Sequence, residues 1–308
     1  MNIRSKLTGM TVKNDEPLRL HTSLRIGGNA LFYYEAENID KLCANLKIIN
    51  EEESFPIFVL GGGSNILFSD DGFDGYVISI KGFGEIKEIN KDSDGVLLDI
   101  GAGVGLQQVL RYAKDNGYMG IEGLSGIPGT IGGAVFGNAG SYGTEIGSLV
   151  KSVKVIDKTG NIKDKTDIKF GYRSSSLPLS DIIVGIRLLL KKGIKEEIAE
   201  HMKEILEKKR ATQPIDKHSA GCVFKNPQGD YAGRLIEVTG CKGLRQGGIA
   251  VSEVHANFFI NDRKGTCNDF LKLMDDVKER VYKGFGVELE PEIKIIPKEI
   301  VNGGIANI

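Results

Sequence analysis

Val59-Leu-Gly-Gly-Gly-Ser-Asn-Ile-Leu67 reads as a strand that enters a triple-glycine turn and then resumes as strand. Glycine lets main chain close on a ligand without side-chain interference, and successive N–H groups in such a turn form a concavity for an anion. Ser64 adds a hydroxyl donor, and Asn65 follows it. The stretch is not a Walker A loop, because Gly-Lys-Ser/Thr is absent. Nor is it a Gly-x-Gly-x-x-Gly dinucleotide fingerprint, because no helix follows. A plain tight turn fits the same spacing, so the choice between phosphate nest and turn depends on the rest of the chain.

About sixty residues on comes a second glycine run, Gly126-Ile-Pro-Gly-Thr-Ile-Gly-Gly-Ala-Val-Phe-Gly-Asn-Ala-Gly140. The chain has 41 glycines in 308 residues, about twice the usual ~7%, and eight of them fall between Gly123 and Gly143. A flexible linker of that content would be polar. This one is uncharged and carries Leu124, Ile127, Ile131, Val135 and Phe136. It reads as buried main chain, either approaching a long flat ligand or packing a helix closely through small residues.

Outward from these runs, a chain of 308 residues exceeds the size of one hydrophobic core and predicts two or three packed units. The 40 basic and 41 acidic residues give a net charge of -1, so no global field exists to hold a nucleic-acid backbone or an anionic membrane. Cys43, Cys222, Cys241 and Cys267 form no Cys-x-x-Cys pair, which argues against a zinc site or a disulfide scaffold and suits a reducing cytoplasm. The first residues lack the apolar core of a signal peptide, and no stretch of ~18 apolar residues exists to span a bilayer. The near-neutral surface allows monomer or dimer.

Apolar positions 39, 42, 46 and 49 predict a helix capped by Asn38, followed by strands at 56–60 and 76–80: an α/β unit. From 82 to 192 the signals turn strand-like, at 96–100, 153–156 and 181–190. Asp157-Lys-Thr-Gly160 reads as a hairpin turn, and only one helix is evident, 106–116, stopped by Gly117. Helical spacing returns at 196–210, 231–239 and 268–283, with glycines after the last two at 240 and 284 and a strand at 257–260 between them. The tail 286–296 looks extended, with an edge or break at Pro291.

Jointly, the phosphate-type turn, the second glycine segment and the mostly β middle resemble the FAD domain of the vanillyl-alcohol-oxidase and p-cresol-methylhydroxylase superfamily. Within it, Thr22-Ser-Leu-Arg-Ile-Gly-Gly28, Phe170-Gly-Tyr-Arg-Ser-Ser175, Ser219-Ala-Gly-Cys-Val-Phe-Lys-Asn-Pro227, Ala232-Gly-Arg-Leu-Ile-Glu237 and Leu289-Glu-Pro-Glu-Ile293 occur in the order found in UDP-N-acetylenolpyruvoylglucosamine reductases. The resemblance implies an α+β chain. Two α/β FAD-binding subdomains are expected, 1–80 (with strand 286–298 returning to it) and 81–193, followed by an α+β substrate-binding domain, 194–285. It also implies non-covalent FAD, NADPH as reductant, and reduction of an enolpyruvyl ether on a UDP-sugar to the lactyl ether in peptidoglycan precursor synthesis.

By the same resemblance, FAD contacts fall to Gly61, Gly62, Gly63, Ser64, Asn65, Gly126, Ile127, Pro128, Gly129, Gly132, Gly133 and Asn138. Arg173 and Glu292 are the pair expected to stabilise the enolate. Cys222, where many relatives have serine, is the expected proton donor, and a thiol with an unperturbed pKa of ~8.5 is protonated at neutral pH. Tyr142, Asn226, Lys225 and Arg210 are expected at the sugar nucleotide. His255 replaces a glutamine of one branch, and the interval 187–218 lacks the inserted loop of that branch. No metal is expected. Two other readings compete: an FAD-dependent oxidase of a small alcohol or sugar, and a non-enzymatic nucleotide-binding module.

Overall fold

The structure is a computed structural model, and it describes residues 12–52, 55–299 and 305–307. Six helices are present among these residues: α1 Ile39–Glu52, α2 Leu106–Asn116, α3 Ile131–Phe136, α4 Lys195–Thr212, α5 Ala232–Val238 and α6 Cys267–Phe285. The caps follow local chemistry. Asn38 accepts the Lys41 N–H at 3.0 Å at the start of α1. Gly117 ends α2 in the left-handed region at φ 70°. Helix α6 passes through Gly284 and stops at Gly286, φ 67°, so the predicted stop glycine is off by two.

Three hydrophobic clusters support the sheets and helices. One five-stranded sheet runs in the order 12–17, 29–35, 73–79, 57–60, 305–307, antiparallel only at its first pair. The strand at 29–35 went unread in the sequence, although Ala30, Phe32, Tyr33 and Tyr34 are buried. An antiparallel sheet follows, 162–165, 150–156, 182–192, 95–101, 86–91, with 118–119 added to its long strand. Asp157 closes its hairpin by accepting the N–H groups of Thr159 and Asn161 at 2.9 and 3.0 Å.

The main core lies between α1, α2 and these two sheets. A second core joins α5, α6 and the small sheet 245–246, 249–251, 259–261, and it reaches Leu24, Ile26, Leu67, Leu289 and Ile293 from outside that region. Only Lys294–Ile296 of the tail forms strand, parallel to 66–68, while Pro291 makes an isolated bridge with Phe224. The break expected at Pro291 is therefore present. It lays the tail between the triple-glycine turn and the Cys222 segment.

Candidate active site

The turn after strand 57–60 and the start of α3 pack main chain to main chain. A Cβ on Gly62 would lie 2.5 Å from Gly129 Cα, one on Gly61 2.6 Å from Thr130 Oγ1, and one on Gly129 2.7 Å from Ser64 Oγ. Glycine at these positions is thus a steric requirement of the contact. Between the two segments opens a largely apolar cleft lined by Val59, Gly61, Ile80, Gly132, Gly133, Phe136 and Ile183. The second glycine run is not uniform in its surroundings. Gly132 packs α3 tightly onto Ala102, where a Cβ would lie only 3.0 Å from the Ala102 Cβ, whereas Gly133 lines the cleft and nothing nearer than 3.5 Å would meet its Cβ.

The turn is also rich in unused donors. Among the described residues, the main-chain N–H groups of Gly61 to Asn65 donate to no protein acceptor. Such groups are nearly always paired when withdrawn from water, and Gly61 and Gly63 are buried. With Gly63 at φ +66° the run forms a nest suited to phosphate oxygens. The residues present therefore fit a dinucleotide with a flat ring system: anion donors at one end, glycine-walled apolar cleft at the other.

Three distant parts of the chain converge beside this cleft. Arg173 sits in the two-residue turn of the hairpin 170–175 at φ 53°, a conformation uncommon for residues other than glycine and one that recurs at functional sites. The hairpin is pinned to the cleft wall: Ser175 Oγ donates to the Phe136 carbonyl at 2.7 Å, and Asn138 Nδ2 to the Gly171 carbonyl at 2.8 Å. Asn138, wholly buried, also bonds Glu145 and the Gly147 N–H. Its amide is therefore taken up in holding the Arg173 hairpin.

The Arg173 Nε donates to Glu292 Oε1 at 2.8 Å, both side chains being largely withdrawn from solvent. Among the described residues the terminal guanidinium nitrogens donate no hydrogen bond, and a Cβ on Gly140 would lie 3.1 Å from Nη1. The glycine leaves room for the fork. Asn65 ties the turn to the same place, its Nδ2 donating to the Glu292 carbonyl at 3.3 Å. Burial raises the Glu292 pKa above the usual carboxylate range, against the lowering pull of Arg173.

Cys222 lies within the field of both. Glu292 N–H donates to the Val223 carbonyl at 2.8 Å, and Cys222 bridges to Phe258. Burial pushes the thiol up to about 12, Glu292 adding to the rise and Arg173 opposing it. Asn257, buried and not singled out in the sequence, fixes the segment like a missing strand: Oδ1 accepts the Phe224 N–H at 2.9 Å and Nδ2 donates to its carbonyl at 2.8 Å.

The remaining expected residues are placed less centrally. Asn226 Oδ1 accepts the Ala232 N–H at the start of α5, and its own N–H meets the Tyr172 hydroxyl. Lys225 pairs with exposed Glu290 at 3.3 Å. Tyr142 is half exposed, with φ 45°. Arg210 is exposed, while the neighbouring Lys209, about 100° around the helix, is the buried one. His255 packs against Gly233 and Phe258, with its Nδ1 accepting the Asn257 N–H. Ile127 and Gly126 are held by Gln107 of α2, whose amide bonds the Ile127 carbonyl and the Gly126 N–H at 2.8 and 3.1 Å. Ser64 Oγ donates to the Pro128 carbonyl. Among the described residues no His/Cys/Asp/Glu group is arranged to hold a metal, and no helix is long and apolar enough to cross a membrane.

Comparison with known proteins agrees with this geometry. Residues 30–165 match the FAD binding domain model, and residues 213–296 match the model of the C-terminal domain of UDP-N-acetylenolpyruvoylglucosamine reductase. The UDP-N-acetylenolpyruvoylglucosamine reductase of Lachnoclostridium phytofermentans is 37% identical over 289 residues, 93% of each chain. Reductase 2 of Symbiobacterium thermophilum is 39% identical over 287 residues, 92% of each chain. The crystal structure of the Thermus caldophilus reductase superposes with a TM-score of 0.79 at 36% identity, covering 94% of this chain and all of that one. A variant of Physcomitrella patens BBE-like 1, at 16% identity and TM-score 0.50 over 62% of this chain and 45% of its own, shares the fold alone. The likeness to the reductases spans both the glycine-walled cleft and the segments that bring Arg173, Cys222 and Glu292 together, and the chain belongs to the UDP-N-acetylenolpyruvoylglucosamine reductase family.

Proposed function

We propose that this enzyme reduces the enolpyruvyl group of UDP-N-acetylglucosamine enolpyruvate to the lactyl ether of UDP-N-acetylmuramate, in the cytoplasm, for peptidoglycan precursor synthesis. The observation that carries the mechanism is the open guanidinium fork of Arg173, held by Glu292 beside the cleft. We assign residues 1–80 with the tail 286–298, and 81–193, to FAD, and 194–285 to the sugar nucleotide. The donors of Gly61–Asn65 hold the FAD phosphates, and Gly126, Pro128, Gly129 and Gly133 give its ring close main-chain approach. All four cysteines are free, as a reducing compartment would leave them.

Bound FAD, reduced by NADPH, would supply the hydride that the terminal vinyl carbon takes up. Electron density then moves into the substrate carboxylate, where Arg173 presents two parallel N–H donors fixed in place before the charge develops. Glu292 orients the guanidinium and, with its pKa raised by burial, holds a proton to higher pH than an exposed carboxyl. The substrate α-carbon takes the Cys222 Sγ proton, and the thiolate left behind, eased by Arg173, recovers a proton from water. Lys225, Arg210, Asn226 and Tyr142 are assigned to the nucleotide part.

Incubation with NADPH and the enolpyruvyl sugar nucleotide should yield a product heavier by two hydrogens, formed with one NADPH consumed per product. Consumption of NADPH with recovery of unchanged sugar nucleotide would reject the assignment.

A further inference from the structure

Beside this site, and used by none of the steps above, lies a buried cation. Lys209 continues the stripe Ile198, Met202, Ile205 that α4 turns inward, and it is only 4% exposed. Its ammonium donates to the Ser125 carbonyl at 2.6 Å and sits 5.6 Å from the centre of the Tyr142 ring. Its stem covers Gly126, where a Cβ would lie 3.1 Å from Lys209 Cδ. Among the described residues no carboxylate comes within 4.0 Å of the ammonium. Burial alone lowers its pKa, to about 8, and no acidic group opposes the fall.

Burying a lysine without a counter-charge is unfavourable. A tether to one carbonyl does not explain it, since a neutral amide would make that bond without the desolvation of a charge. From α4 the lysine reaches the loop Ser125–Gly129, whose far end packs against the triple-glycine turn. A cation kept in reserve there answers negative charge that arrives with the ligand. Two-electron reduction makes a flavin electron-rich, and a fixed positive charge favours that state.

We infer that Lys209 is a positioning residue for the flavin: it clamps the Ser125–Gly129 loop through the Ser125 carbonyl and supplies a fixed positive charge that favours the reduced cofactor. This rests on the reading that FAD fills the cleft. The test is the two-electron reduction potential of the bound flavin, measured by dye equilibration in the wild-type protein and in Lys209→Met, Lys209→Gln and Lys209→Arg. Glutamine keeps a donor for Ser125 without the charge, and arginine keeps the charge. Methionine and glutamine should shift the equilibrium against the reduced form at least ~tenfold, about 30 mV for a two-electron couple, with arginine within about twofold of wild type. The inference is overturned if glutamine matches wild type, or if glutamine and arginine shift alike, which would make shape rather than charge the cause. Should the methionine variant fail to fold, the glutamine and arginine pair decides. A wild-type protein purified without flavin would instead remove the reading on which the inference stands.

Discussion

Replacing Arg173 by methionine keeps most of the stem and removes the fork. In the structure the guanidinium is fixed by Glu292 at 2.8 Å, so its two remaining nitrogens are positioned before substrate arrives. A guanidinium and an enolate carboxylate separated by ~4 Å interact by about 4 kcal/mol at the effective dielectric of a partly buried site. That corresponds to roughly a thousandfold in rate, in line with the ~10²–10³ lost when a single oxyanion donor is removed. Loss of the cation also removes the main influence lowering the Glu292 pKa, so that carboxyl should move further up. The assay is an anaerobic double mix. The variant should bind FAD and accept hydride from NADPH at the wild-type rate, then be reoxidised by the enolpyruvyl substrate about a thousandfold more slowly. Reoxidation within about threefold of wild type, less than 1 kcal/mol of barrier, would remove Arg173 from the mechanism.

Cys222→Ser should remain active while Cys222→Ala loses turnover by orders of magnitude, and equal activity of the two would assign the proton to another group. With its thiol near 12, Cys222 should be alkylated at pH 8 about three orders of magnitude more slowly than an unperturbed cysteine, as followed by peptide mass mapping; rapid modification would contradict the protonated thiol. Asn257→Ala leaves the Phe224 N–H and carbonyl without partners in a buried place and should cost about 2–4 kcal/mol in denaturant unfolding; a change under about 0.5 kcal/mol would refute the strand-like role. Gly62→Val places side-chain atoms against Gly129 and should give folded protein that has lost its flavin, with retained flavin as the contrary result.

Much of this was legible because the informative residues are close in sequence or carry a pattern. The glycine runs announced main-chain contact, and the structure adds why the two must face each other: Gly62 and Gly129 touch. Helix α3 was not set out as an element because half of its six residues are glycine or alanine and share the glycine signal. Asn257 and Gln107 were illegible, since each acts on a segment distant in sequence. Lys209 was within reach of periodicity, being four residues after Ile205 on the buried stripe, yet Arg210 drew attention as the more familiar anion partner. Asn138 was expected at the cofactor; its side chain bonds the arginine hairpin, a contact set by a carbonyl 33 residues away.

The account depends most on flavin in the glycine-walled cleft passing its hydride to the enolpyruvyl alkene. The direct measurement reduces the purified protein with NADPH without oxygen, then follows the return of oxidised-flavin absorbance on mixing with either aerated buffer or UDP-N-acetylglucosamine enolpyruvate. The sugar nucleotide should restore the absorbance far faster than oxygen does. Faster return with oxygen, or no response to the sugar nucleotide, would contradict the account and favour an oxidase.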